Sequence, residues 1–182
     1  MINKIGKSKF IILVLCIIAV LSSLIIIKCL RTDTNEYKIS YRIYDKKKGW
    51  SKWYKNGKTA GDGVNAIQKI EIKIKDKNEK VRYEFYENGK WVSEEDEKVK
   101  IKDMYALKLS ITPKLYKNYN IFYRTYNKKD NWLEWAYNNE ISGNKEAPIT
   151  KVQIKILKKE VSLEDYLEDY NLVETKSKGF NE

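Results

Sequence analysis

The chain reads as an all-β protein, a pseudo-threefold array of three antiparallel repeats, and three observations predict this. One long stretch recurs with every position displaced by 82 residues: Tyr41-Arg42-Ile43-Tyr44 returns as Tyr123-Arg124-Thr125-Tyr126, Trp50 and Trp53 as Trp132 and Trp135, Gly61 as Gly143, Ile67 as Ile149. A degenerate copy lies between them, running from Tyr83 to Tyr86, through Trp91, to Leu107, Leu109 and Ile111. A unit of roughly 40 residues repeated in this way marks a repeat architecture. Finally, apolar and polar residues alternate where each copy opens and closes, which is the period of a half-buried strand.

The elements follow in order. Residues 1–9 form a basic flank with Lys4, Lys7 and Lys9 and no acid. From Phe10 to Ile27 the chain is apolar apart from Ser22 and Ser23, so residues 10–30 are expected to span a membrane. Eighteen such residues match a hydrocarbon core of roughly 30 Å. Bulky Leu24 to Ile27 leads straight into Lys28-Cys29-Leu30-Arg31, without the small residues of a cleavage site, which favours an uncleaved signal anchor over a removed signal peptide. The excess of positive charge before the segment places the N-terminus in the cytoplasm and the rest outside the cell. A linker, 31–36, follows.

The three copies span 37–76, 79–113 and 119–159. Each opens with an alternating strand: Ile39, Tyr41 and Ile43 against Ser40, Arg42 and Tyr44; Val81, Tyr83 and Phe85 against Arg82, Glu84 and Tyr86; Ile121, Tyr123 and Thr125 against Phe122, Arg124 and Tyr126. A polar turn comes next, Asp45 to Gly49 or Asn127 to Asn131, and then the tryptophans. Asn56-Gly57 is a turn in which glycine tolerates positive φ, and Asn139 takes the place of Gly57 because asparagine accepts the same conformation. Ala60-Gly61 and Ser142-Gly143 supply a second bend. The closing strand is the clearest: Ile70, Ile72 and Ile74 face one way, Glu71, Lys73 and Lys75 the other, a half-buried antiparallel pattern.

Three units with one apolar face each are best satisfied around a common axis. That gives a β-prism-like body with one sheet per repeat, or alternatively a β-trefoil; an open stack would expose edges. The middle copy is shorter. Its Trp91 aligns best with Trp53 and Trp135, and Ser93-Glu94-Glu95-Asp96-Glu97 replaces the glycine bends. Residues 160–182 form an acidic tail. Ser162-Leu163-Glu164-Asp165 resembles a capping box, and Leu163, Tyr166, Leu167 and Tyr170 at helical spacing predict a short amphipathic helix over about 163–173.

Net charge is +11, and the repeats alone account for it, since the five basic residues before them are offset by a tail of seven acidic against two basic residues. A basic body fits polyanionic neighbours, although lysines alternating along strands also make an ordinary solvated face. Both cysteines, Cys16 and Cys29, lie in or beside the apolar segment, so the repeats have neither disulfides nor thiolate metal sites. Histidine is absent, which removes the commonest general base and metal ligand. No phosphate-binding glycine loop and no metal-ligand spacing appear. No catalytic residue, cofactor or metal is expected.

The unit Tyr-Arg-x-Tyr, Gly49-Trp50-x-x-Trp53, Asn56-Gly57, Ala60-Gly61-x-Gly63, Ala66-Ile67-x-x-Ile70-x-Ile72-Lys73 resembles the clostridial hydrophobic repeat with conserved tryptophan, the ChW repeat. The first copy carries the pattern best, the third lacks the glycine before Trp132, and the second carries little of it. The resemblance implies a secreted or surface-displayed protein of a low-GC Gram-positive bacterium, engaged in adhesion or in binding polysaccharide or protein.

Trp50 and Trp132, which find no counterpart in the middle copy by alignment, are the candidate ligand contacts. Tyr44 and Tyr126, with Tyr86 in the middle copy, could serve as platforms for sugar rings or could cover the tryptophans. Arg42 and Arg124 could bind an anionic group beside them, or pair with Glu71 or Glu146. The function expected is a non-catalytic, membrane-anchored surface module for a polysaccharide or cell-wall polymer. The rivals are a protein-interaction or assembly subunit at the cell surface, and an extracellular nucleic-acid binder.

Overall fold

The structure, a computed structural model, describes residues 13–20, 22, 36–93 and 103–164. The chain divides into two compact units, Met1–Asn35 and Glu36–Glu182. In the first, residues 13–20 are helical, with Leu13, Leu15, Ile17, Ile18 and Val20 exposed. Among the described residues no helix is long and apolar enough to cross a membrane. The remainder of the apolar segment expected at 10–30 lies outside them.

The second unit is antiparallel β-sheet, and the three copies fold alike. The first contributes β1 (Ile39–Asp45), β2 (Gly49–Trp50), β3 (Tyr54–Lys55), β4 (Ala60–Gly61) and β5 (Ile67–Ile74). The second contributes β6 (Val81–Glu87), β7 (Lys90–Ser93) and β8 (Ala106–Ile111). After one helical turn, Pro113–Tyr116, the third contributes β9 (Tyr119–Asn127), β10 (Asn131–Trp132), β11 (Ala136–Tyr137), β12 (Ser142–Gly143) and β13 (Lys151–Lys158).

In each copy the opening strand pairs with the closing one, in the same register. Tyr41 stands opposite Ile72, Tyr83 opposite Leu109, and Tyr123 opposite Ile154. The other edge of β1 carries β2 and β3, as the other edge of β9 carries β10 and β11. Turn chemistry repeats as well. Asp45 accepts from the backbone N–H groups of Lys47 and Lys48, and Asn127 from those of Lys129 and Asp130. Gly57 and Asn139 both have positive φ, 68° and 80°, as their shared position predicts.

The expected bends at Ala60-Gly61 and Ser142-Gly143 prove to be something more: two-residue strands that join a neighbour's sheet. β4 pairs with β13 of the third copy, and β12 with β8 of the second. The turns cross over too, with the Gly57 N–H donating to Ile154 O at 2.8 Å and the Asn139 N–H to Leu109 O at 2.7 Å. At the centre, three equivalent residues close a ring of backbone hydrogen bonds: Ile67 N–H to Ile149 O at 2.8 Å, Ile149 N–H to Met104 O at 2.7 Å, and Met104 N–H to Ile67 O at 3.0 Å. All three side chains are buried.

Glycine is required where β4 and β12 cross. Gly61 has φ +104°, and a Cβ there would lie 2.2 Å from Thr150 O. Gly143 has φ +128°, and a Cβ would lie 2.4 Å from both Ala106 Cα and Tyr105 O. Those obstacles are backbone and cannot turn aside.

The inner face of the three sheets makes one core, including Ile39, Tyr41, Ile43, Ile67, Phe85, Leu107, Leu109, Tyr123 and Ile154. Its tyrosines work at both ends, ring in the core and hydroxyl on backbone, and for Tyr41 and Tyr83 that backbone includes another copy's. The Tyr41 hydroxyl accepts from Ile154 N–H at 3.1 Å and donates to Lys58 O. The Tyr83 hydroxyl donates to Ile70 O at 2.9 Å, and that of Tyr123 to Glu140 O. Burial pushes the Tyr41 and Tyr123 phenols well above their ordinary value, against the smaller lowering effect of backbone N–H donors.

Both ends of the body meet. Glu36 bridges to Leu157, and the Tyr37 N–H donates to Ile156 O at 3.0 Å. Beyond β13, Val161 and Leu163 pack, with Trp135, on Phe122 and Leu157. Helix begins at Leu163, with the Ser162 hydroxyl accepting from Glu164 N–H at 3.2 Å. The rest of the helix predicted to 173, and the acidic turn at 94–97, lie outside the described residues.

Gly61→Ala or Gly143→Ala is expected to destabilise the protein by about 3 kcal/mol, read by denaturant unfolding. Gly89→Ala is the control: its φ is +83° but a Cβ there meets nothing within 4 Å, so only about 1 kcal/mol of backbone strain is expected. A raised phenol pKa means that folding favours the neutral form. The stability it contributes is complete below the ordinary tyrosine value of about 10 and is lost as pH climbs above it. Unfolding curves collected upward from pH about 9 should show stability falling above about 10, and the fall should be shallower in Tyr41→Phe and Tyr123→Phe.

Candidate functional site

Outward-facing residues of β1 alternate with the core tyrosine and isoleucines, so Arg42 and Tyr44 are set on the outer face of the first sheet. β2 runs back beside them and places Trp50 opposite Tyr44. The two rings meet edge to face, centroids 5.5 Å apart at 67°. The Arg42 guanidinium carbon lies 4.5 Å from the centroid of Trp50 and 4.8 Å from that of Trp53. Lys73, from β5, brings its ammonium to 4.3 Å from Trp53. Tyr44, Trp50, Arg42, Trp53 and Lys73 therefore form a ladder of alternating rings and cations.

The third copy repeats the ladder. Tyr126 meets Trp132 at 5.6 Å and 70°, Arg124 lies 4.7 Å from both Trp132 and Trp135, and Lys155 lies 4.2 Å from Trp135. Each cation over an indole face is held by about 0.5–1 kcal/mol when exposed, and more once desolvated. Arg42 is half-buried, and its Nε donates to Glu71 Oε2 at 2.6 Å within an ion pair. Arg124 is buried and donates instead to Gln153, the counterpart of Glu71, at 2.8 Å. Glu146 pairs with Lys129, on a loop away from both arginines.

Exposure separates the two ladders. Trp50 is 42 % exposed, whereas Trp132 is half-buried. The third sheet's outer face also carries Phe122 and Leu157, covered by Val161 and Leu163, and the Trp135 indole N–H is buried with no acceptor among the described residues. Thus all six candidate residues fall into two register-equivalent clusters: Arg42, Tyr44 and Trp50, and Arg124, Tyr126 and Trp132. The sequence did not reveal that Trp53, Trp135, Lys73 and Lys155 complete them. A signal existed, because Arg42, Glu71 and Lys73 recur outward-facing as Arg124, Gln153 and Lys155.

The middle copy requires a correction. Trp91 stands opposite Tyr86, as Trp50 stands opposite Tyr44, and the rings meet at 5.5 Å and 66°. Trp91 is therefore the counterpart of Trp50 and Trp132, and the missing member is that of Trp53 and Trp135. Alignment failed because β7 follows β6 through a tight Asn88-Gly89 turn, whereas the other copies use a longer one. With Glu84 in place of the arginine and Ser93 opposite it, Lys108 lies directly over Trp91 at 4.2 Å.

At the loops beside the first ladder, Lys48 pairs with Asp62 at 2.6 Å. Burial raises the Asp62 carboxyl's pKa, but hydrogen bonds from Lys48, Asn65 and Val64 outweigh it and hold the group below the usual carboxylate range. The third copy replaces this pair with an Asn144 to Asp130 hydrogen bond. Among the described residues no cluster of three or more His, Cys, Asp or Glu could hold a metal ion.

Glu71→Gln copies what the third sheet already has, so it should cost under about 1 kcal/mol and leave tryptophan fluorescence unchanged. Arg42→Lys removes the flat guanidinium that fits between two indoles, and should cost about 1–2 kcal/mol with a shift in tryptophan emission. Thermal unfolding and fluorescence spectra check both.

Compared with protein-family models, with curated proteins and with solved structures, the chain has no match in any of the three.

Proposed function

We propose that this protein is a non-catalytic, membrane-anchored cell-surface module whose β body binds a polysaccharide or cell-wall polymer. The observation that carries this reading is the exposed Trp50 indole, edge-braced by Tyr44 and backed by Arg42. A solvent-facing aromatic of this size, held rigid, presents a sugar ring with a flat apolar partner at little entropic cost. Trp132 and Trp91 occupy the same place in the other copies, so the body offers repeated contacts to a repeating polymer, and repeated contacts raise avidity. Three linked sheets around a closed hydrogen-bond ring support the β-prism-like form of the body. The apolar stretch 10–30 serves as the anchor, with the body outside the cell. The resemblance to ChW repeats agrees with surface display.

The full-length protein in detergent micelles should be retained on a Gram-positive cell-wall fraction. Trp50→Ala with Trp132→Ala should lower retention roughly 10-fold or more, in line with truncation of paired aromatic anchors. Retention unchanged in that double variant, with its fold intact by circular dichroism, would reject the reading.

A further inference from the structure

The three outer faces differ at their centres. In the first copy Arg42 and Trp53 fill the centre of the sheet, and in the third Arg124 and Trp135 do so. In the middle copy, Glu84 and Ser93 are too small to fill it, and a cleft of about 290 Å³ opens there. Arg82, Glu84, Ser93, Lys108 and Ser110 line it, with Asn139 of the third copy's turn at one side. We infer that this cleft is a second binding site, taking a short saccharide that carries a carboxylate.

The lining decides the class of ligand. Apart from Tyr83, the residues lining the cleft carry charged, hydroxyl or amide side chains, so an apolar guest gains little there. Glu84 only accepts hydrogen bonds, Arg82 and Lys108 only donate, and the Ser and Asn side chains do both. A ligand rich in hydroxyls, each both donor and acceptor, satisfies such a mixed set better than one of a single polarity. Two cations against one carboxylate leave a positive excess, which selects a sugar bearing a negative group. Arg82 is exposed at the rim, where its fork can meet a carboxylate in two bonds. The volume sits at the small end of the roughly 300–1,000 Å³ usual for ligand sites, enough for a mono- or disaccharide segment. Register places the cleft beside Trp91, whose ring Lys108 already covers, so recognition here is by hydrogen bonds and charge, unlike that at Trp50.

This site rests on the proposed polysaccharide function for its choice of a sugar, and the two separate by experiment. Full-length protein in detergent micelles is titrated calorimetrically with tetragalacturonate and with its methyl ester, in which a methyl group replaces the charge of each carboxylate, and wall retention is measured on the same variants. The charged sugar is expected to bind roughly 10-fold more tightly than the ester, and Arg82→Gln should erase the difference. Glu84→Gln, which removes a like charge from the cleft, should sharpen the preference for the charged sugar. Arg82 is exposed, so its variant keeps the fold; circular dichroism checks this. Equal affinity for the two sugars, no binding of either, or indifference to Arg82→Gln overturns the cleft assignment, and wall retention surviving in that case leaves the proposed function standing. Charged-sugar binding that depends on Arg82, without wall retention, supports the cleft and rejects the broader reading.

Discussion

Three backbone hydrogen bonds at the centre of the body, linking Ile67, Ile149 and Met104 in a circle, constrain everything around them. Each residue donates to one neighbour and accepts from the other, so the circle forms only when all three copies are present. These groups are buried, and an unmade buried bond costs about 1–3 kcal/mol. The copies are therefore not beads on a string. β4 and β12 leave their own copies to complete other sheets, and Tyr41 and Tyr83 seal boundaries between copies with their hydroxyls.

This interlacing explains which residues tolerate no change between copies. Gly61 and Gly143 stand where one backbone presses on another, so no side chain fits. By contrast, positions where side chains meet drift from copy to copy. Glu71 becomes Gln153 because the arginine it holds needs an acceptor more than a charge. Ile43 and Ala60 become Thr125 and Ser142, which meet in a hydrogen bond of 3.0 Å. The Lys48–Asp62 pair becomes Asp130–Asn144. In the last two cases both partners changed together.

Much of the strand plan was readable from the sequence, since alternation at Ile39–Tyr44 and Ile70–Ile74 reflects a sheet with one wet face. The αL turn at Gly57 and Asn139 was readable because only glycine and asparagine adopt it cheaply. Strand exchange was not: two-residue strands such as Ala60–Gly61 are too short for any periodicity, and their partners lie some 90 residues away at Lys151 and Val152. The place of Trp91 was obscured by a loop-length difference that sequence spacing cannot absorb. The clusters were half readable. Arg42, Tyr44 and Trp50 stood out by recurrence, but stacking of Trp53 and Lys73 on them depends on strand neighbours distant in the chain. The apolar outer face of the third sheet had a signal in Phe122 and Leu157, which break the polar alternation their strands otherwise keep.

Glu36 and Tyr37 lie hydrogen-bonded against Ile156 and Leu157, so the body's entry and exit sit side by side. Topologically the three copies form a wheel whose rim happens to be cut at that point. A short peptide could splice residues 36 and 157, with a new opening made in the exposed turn at Asn88-Gly89, and apart from those of residues 158–163 the same contacts would still be available to the rearranged chain. Nothing in the packing of the wheel makes the first copy first.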